Sequence, residues 1–162
     1  VSGSATPDLS LLPERLAEEV ALLRDFLDLL EREERALVGG DIERLLSLVE
    51  DKNRLFVRLA GLGETRGRTL AAAGFGPGRQ GMEDWLERQS ETEGAKRDWQ
   101  QLLALAEKAR ALNRSNGKLI ATRLANNQQA LSTLMAAANQ ASLYGPDGQT
   151  RPAGGGRSLG SA

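Results

Sequence analysis

Cysteine and histidine are both absent from the 162 residues of this chain. The first absence rules out disulfides and thiolate metal sites. The second removes the commonest general base and the usual imidazole ligand, so a Glu-x-x-His metal site of the helical-bundle type cannot be built. Aromatic residues are scarce, with one tyrosine, two tryptophans and three phenylalanines. No apolar run approaches the roughly 20 residues that span a bilayer, so stable membrane insertion is not expected. With 21 basic and 22 acidic side chains the net charge is −1, which gives no global field to draw nucleic acid or acidic lipid. Carboxylates are plentiful, but nothing pairs a serine or threonine with an activating partner. The expectation is a protein that is not an enzyme and needs no cofactor or metal. Val1 to Asp8 shows neither the basic nor the apolar part of a secretory signal, so a soluble intracellular protein is expected.

What is present is helix. Leu16, Val20, Leu23, Leu27, Leu30, Glu34 and Leu37 alternate at spacings of four and three, which is a heptad seam. Pro13 suits the first turn, and Glu14, Glu18 and Glu19 suit its positive dipole end. Gly39 and Gly40 offer a left-handed stop, and Asp41 can cap the helix that follows. So short a link makes the two helices antiparallel. The second carries Ile42, Leu45, Val49, Phe56 and Leu59, with Lys52 on the same seam. That lysine is expected at a rim, its stem reaching towards water. The clusters Glu31, Glu33, Glu34 and Glu91, Glu93 are expected on solvated faces.

The run Gly74 to Gly81, GFGPGRQG, satisfies the dinucleotide pattern GxGxxG at Gly76, Gly78 and Gly81. No strand precedes it, so no βαβ unit can hold a pyrophosphate, and a plain interhelical loop is the better reading. A third helix starts near Met82, with Trp85 and Trp99 fourteen residues apart as core anchors. The pattern shifts by one residue between Asn116 and Ile120, a stutter where Asn113 to Gly117 either bends or breaks the helix. The chain from Tyr144 on is rich in Gly, Pro and Ser and is expected to be disordered. The predicted fold is all-α: an elongated antiparallel bundle or coiled coil of three to four long helices. Its domains are a flexible N-terminus at 1–12, helices at about 13–38, 41–73 and 82–143, and a flexible tail at 144–162.

Charge and amides are unevenly placed. Residues 1–40 hold 4 basic and 9 acidic side chains, whereas 113–143 hold 3 basic and none acidic. That last segment keeps an apolar stripe of Ile120, Leu124, Leu131, Leu134 and Ala138, flanked by amides such as Asn113, Asn116, Asn127 and Gln128. A helix that only closes a bundle normally carries charge on its wet face. Amides and alanines cost less to desolvate than ions, so the segment reads as a surface that receives another amphipathic helix. Met135 adds a deformable contact. Periodicity alone leaves open whether these positions are a docking face or a bundle core.

The run Leu112-Asn113-Arg114-Ser115-Asn116-Gly117-Lys118-Leu119-Ile120 contains an LNxxNGxLI signature, and Tyr144-Gly145-x-x-Gly148 follows it. With the early heptads, the Lys52-Asn53-Arg54-Leu55 region and the tryptophan opening the third helix, the chain resembles the FlgN family of flagellar type III export chaperones over roughly residues 14 to 148. The resemblance implies cytoplasmic capture of the C-terminal helices of the hook–filament junction proteins FlgK and FlgL, and delivery to the export gate protein FlhA. With the stripe and its amides as the receiving face, cargo contacts are expected at Leu112, Asn113, Asn116, Gly117, Ile120, Leu124, Asn127, Leu131, Leu134, Met135 and Ala138, and the resemblance implies gate docking by Tyr144. The competing reading is a structural coiled-coil adaptor of a secretion or envelope assembly, for which self-association is the mark.

Overall fold

The computed structural model describes residues 8–89 and 93–142, the side chains of 138–142 excepted. Among them every regular element is a helix and there is no strand. The helices are α1 (Leu12–Gly39), α2 (Ile42–Ala72), α3 (Arg79–Arg88) and α4 (Glu93–Ser142), with a single 3-10 turn, Leu9–Leu11, ahead of α1. Of the predicted flexible ends, 1–12 and 144–162, residues 1–7 and 144–162 lie outside the described residues, whereas Leu9–Leu11 form the 3-10 turn and Leu12 opens α1. Two compact units divide the chain, Val1–Leu119 and Ile120–Ala162.

In the first unit, Asp8 accepts a hydrogen bond from the Ser10 backbone N–H at 3.0 Å and starts the 3-10 turn. Hydrogen bonds from the Ser10 hydroxyl and backbone hold the Asp8 carboxyl below its ordinary range. At the far end of α1, Gly40 takes φ 74°, the left-handed cap that L side chains avoid, and its N–H reaches the Ala36 carbonyl. Asp41 then accepts from the Arg44 N–H at 3.0 Å and opens α2. The turn is therefore as tight as its glycines and aspartate foretell.

α1 and α2 run antiparallel, and two ion pairs fix their register. Arg66 donates to Glu19 through Nε at 3.0 Å and Nη2 at 3.1 Å, a bidentate fork. Lys52 donates to both carboxylate oxygens of Glu33 at 3.0 Å. Fourteen residues separate the two glutamates and fourteen separate their cations, so both pairs obey one register. The Arg66 guanidinium also lies 4.9 Å from the centre of the Trp99 ring, which brings in α4. Lys52 is thus partly buried against an acid, rather than a rim residue reaching for water, and Glu33 is 2% exposed rather than solvated. Both sit on core-facing positions of their helices, and each can be there because the other is.

The main core joins Leu12, Leu16, Val20, Leu23 and Leu30 of α1 to Leu70 of α2, Met82, Trp85 and Leu86 of α3, and Ala95, Trp99, Leu102 and Ala109 of α4. α2 continues through Gly61, Gly63 and Gly67, where the sequence pattern fades, because Arg66 and Leu70 tie its last turns to the core. Gly74 to Gly78 of the glycine-rich run form the loop between α2 and α3, with φ 84° at Gly74 and 83° at Gly78, and Arg79 to Gly81 already belong to α3, which starts three residues before Met82. Gly81 is buried beneath this loop, and a Cβ there would lie 1.5 Å from the Gly76 carbonyl oxygen. Gly81→Ala should therefore cost about 1–3 kcal/mol as the loop shifts, which urea titration followed by circular dichroism will read.

The third predicted helix is in fact two. α3 stops at Arg88, and Gln89 is extended, with φ −101° and ψ 132°. α4 then runs from Glu93 as one helix through 113–117, so the chain does not break there, and the break that the structure does show lies upstream, after Arg88. The second unit begins at Ile120, and its described part is the remainder of α4.

Candidate functional site

The singled-out residues of α4 separate by environment. In the first unit, Leu112 is half-buried against the main core and Asn113 is exposed. Asn116 is wholly buried, and its Nδ2 donates to the Leu30 carbonyl and to Glu33 Oε2, each at 2.9 Å. The Asn116 amide thus joins the Glu33–Lys52 pair into one polar knot shared by α1, α2 and α4. Its Oδ1 is buried with no hydrogen-bond partner, a cost of order 1–3 kcal/mol that offsets part of what the two donated bonds contribute. Gly117 is exposed, and a Cβ there would meet nothing within 4 Å, so packing within the chain does not require the glycine.

In the second unit the stripe is open. Ile120 is 47% and Leu131 59% exposed, and Leu124, Leu134 and Met135 are exposed as well. Asn127 is exposed beside them. Five large apolar side chains on one helix are thus in water, where each forgoes about 1.5–3 kcal/mol of burial. The Ala138 side chain and Tyr144 lie outside the described residues.

Sequence reasoning missed the groove in the first unit between α2 and α4. It encloses about 410 Å³ and is walled by Leu23, Phe26, Phe56, Leu59, Ala106 and Ala109, with Lys52, Asn53, Arg110 and Asn113 at its margins. The signal was available in α2, whose Ile42, Leu46, Val49 and Phe56 are all exposed. These residues make a second heptad seam beside the one that faces the core. The other flank of α2 meets α1 across a polar surface of Asp25, Asp28, Arg32, Asp51, Arg54 and Arg58. Among the described residues no cluster of acidic side chains could hold a metal ion, and no helix is long and apolar enough to cross a membrane.

The family model of the FlgN protein matches residues 10–152, nearly the whole chain. The chain belongs to the FlgN family. A flagella synthesis protein FlgN from Yersinia enterocolitica is 30% identical over 144 residues, covering 88% of this chain and 90% of that protein. The FlgN protein of a serotype O:8, biotype 1B strain of the same species has the same identity and coverage. No solved structure matches the chain. As a FlgN-family chain it carries the LNxxNG run on α4 where the two units meet in sequence, with Asn116 facing inward and Ile120 outward.

Proposed function

We propose that the chain is a cytoplasmic flagellar export chaperone that captures the C-terminal helices of the junction proteins FlgK and FlgL and delivers them to the gate protein FlhA. The observation that carries this reading is the open apolar stripe from Ile120 to Met135 on a helix stretch without a carboxylate. Membership of the FlgN family supports it. Cargo packs its own heptads on Ile120, Leu124, Leu131, Leu134, Met135 and Ala138, with Asn127 as an amide contact. Exposed Asn113 and Gly117 extend the set, the glycine leaving backbone uncovered for close approach. Leu112 and Asn116 serve it from within, by holding α4 to α1.

Capture is sequestration. An export-competent end with unpaired apolar heptads associates early unless those groups are covered. Folding it on α4 covers them, and the ordering cost keeps the complex reversible. Size-exclusion chromatography with light scattering, with and without a FlgK C-terminal peptide, tests this: a discrete complex is expected. A stable homo-oligomer indifferent to the peptide would point instead to a structural adaptor.

Gate docking is assigned to Tyr144, the last aromatic residue of the chain. Tyr144→Ala should weaken binding of the cargo-loaded protein to the FlhA cytoplasmic domain about tenfold, the scale of one lost buried aromatic contact, while cargo affinity stays unchanged. Surface plasmon resonance with both partners separates the two effects. Full gate affinity in the variant would remove Tyr144 from this role.

A further inference from the structure

We propose that the outward seam of α2, with the groove beside it, is a second docking face, taken by an amphipathic helix of the exported protein whose edge along α2 carries lysine or arginine. The proposal rests on the export-chaperone reading and extends it to a face that reading does not use. Ile42, Leu46, Val49 and Phe56 follow heptad spacing, with Leu46 68% and Phe56 62% exposed. From Ile42 to Ala60 the seam is about 27 Å long at 1.5 Å per residue, five turns of a partner helix. Leu23 and Phe26 of α1 floor the adjoining groove, and Ala106 and Ala109 of α4 make its far wall low. Small residues there let a helix sit close. A helix laid in it would complete a four-helix bundle whose other members are α1, α2 and α4.

Charge selects the occupant. The cations at the groove margin are already used, Lys52 by Glu33 at 3.0 Å and Arg110 by Glu107 at 2.9 Å. Glu43 and Glu50 each follow a seam residue by one position, so they share one edge of the seam, and both are exposed. Neither forms an ion pair among the described residues. That edge is an uncompensated negative strip, which attracts a basic flank and repels an acidic one. On the α4 side, exposed Arg114 lies one turn past Arg110 and is likewise without an ion-pair partner among the described residues. Edges of opposite sign accept a helix with a basic and an acidic flank in one direction only.

The test uses the full-length chain and a fluorescent synthetic peptide spanning the C-terminal helices of FlgK from the same bacterium, long enough to meet both faces, read by anisotropy. Leu46→Asp with Phe56→Asp should weaken binding about tenfold or more. Glu43→Lys with Glu50→Lys should weaken it about threefold or more, and a peptide with its basic edge changed to glutamate should regain affinity for that variant alone. These surface charge reversals carry the test even if the aspartates in the seam disturb folding, which circular dichroism reports. Seam and charge variants that bind like the wild type, while Ile120→Asp fails, overturn the second face and leave the chaperone reading intact. A dimer seen by light scattering that Leu46→Asp dissolves with peptide affinity unchanged makes the occupant a second copy, and also overturns it. A wild-type chain that ignores the peptide removes the chaperone reading, and this inference with it.

Discussion

Glu33→Ala will lower the unfolding free energy by about 3 kcal/mol, the scale of breaking a buried ion pair from one side. Its carboxylate takes both hydrogen bonds of the Lys52 ammonium and one from the Asn116 amide. Truncation leaves the ammonium, whose side chain is only 24% exposed, without its acceptor. Asn116 keeps its bond to the Leu30 carbonyl but loses its second acceptor. Glu33→Leu combined with Lys52→Met should behave otherwise, costing about 1 kcal/mol or less, because no charge is stranded. Urea titrations of the two single variants and the double complete the cycle. Losses that simply add would mean that the pair is not formed in solution.

Ile120→Asp combined with Leu131→Asp will reduce cargo affinity at least about 100-fold, since each change removes one apolar burial of about 1.5 kcal/mol or more from the complex. The same changes should leave the helical signal and melting temperature nearly as they were. Both side chains are already about half in water or more, so the free protein has little of their burial to lose. Isothermal titration with the FlgK peptide, beside a thermal melt, reads both quantities. A melt lowered by many degrees would make these positions core residues and would refute capture on α4. By contrast, a disruption at Asn116 should appear chiefly in the melt, because that amide lies inside.

Much of the bundle was legible in the sequence, for reasons that particular residues make plain. The α1 heptads, the Gly39-Gly40-Asp41 turn and the start of α2 all follow from local chemistry, with cap, stop and apolar period in agreement. The break between α3 and α4 was hidden by a coincidence. Trp85 and Trp99 stand two heptads apart and both are buried, so the count passes over a helix end at Arg88. Ser90 and Thr92, just ahead of Glu93, are residue types that favour helix starts, a sequence signal that the tryptophan spacing overrode. At 113–117 the helix continues, which excludes the break among the two outcomes that the stutter left open. Glycine and asparagine are weak helix formers, but the hydrogen bonds of Asn116 to α1 hold the helix through them. For the candidate site, the openness of Ile120, Leu124 and Leu131 follows from which face a helix leaves uncovered, a tertiary fact that period alone does not carry. The buried pairs needed two helices read together, since neither Glu33 nor Lys52 is sensible on a core seam alone.

The shared spacing of the two ion pairs has a consequence for how the hairpin finds its alignment. Leucine repeats by themselves let one helix slide past another by seven residues and still cover leucines. Here such a slide towards the N-terminus of α1 would set Lys52 against Phe26 and Arg66 against Leu12, and the opposite slide would set Arg66 against Phe26. Either misfit strands at least one cation on hydrocarbon, at several kcal/mol for each ion. The glutamates at 19 and 33 therefore act as a vernier: both marks coincide at one setting and at neither of its nearest neighbours.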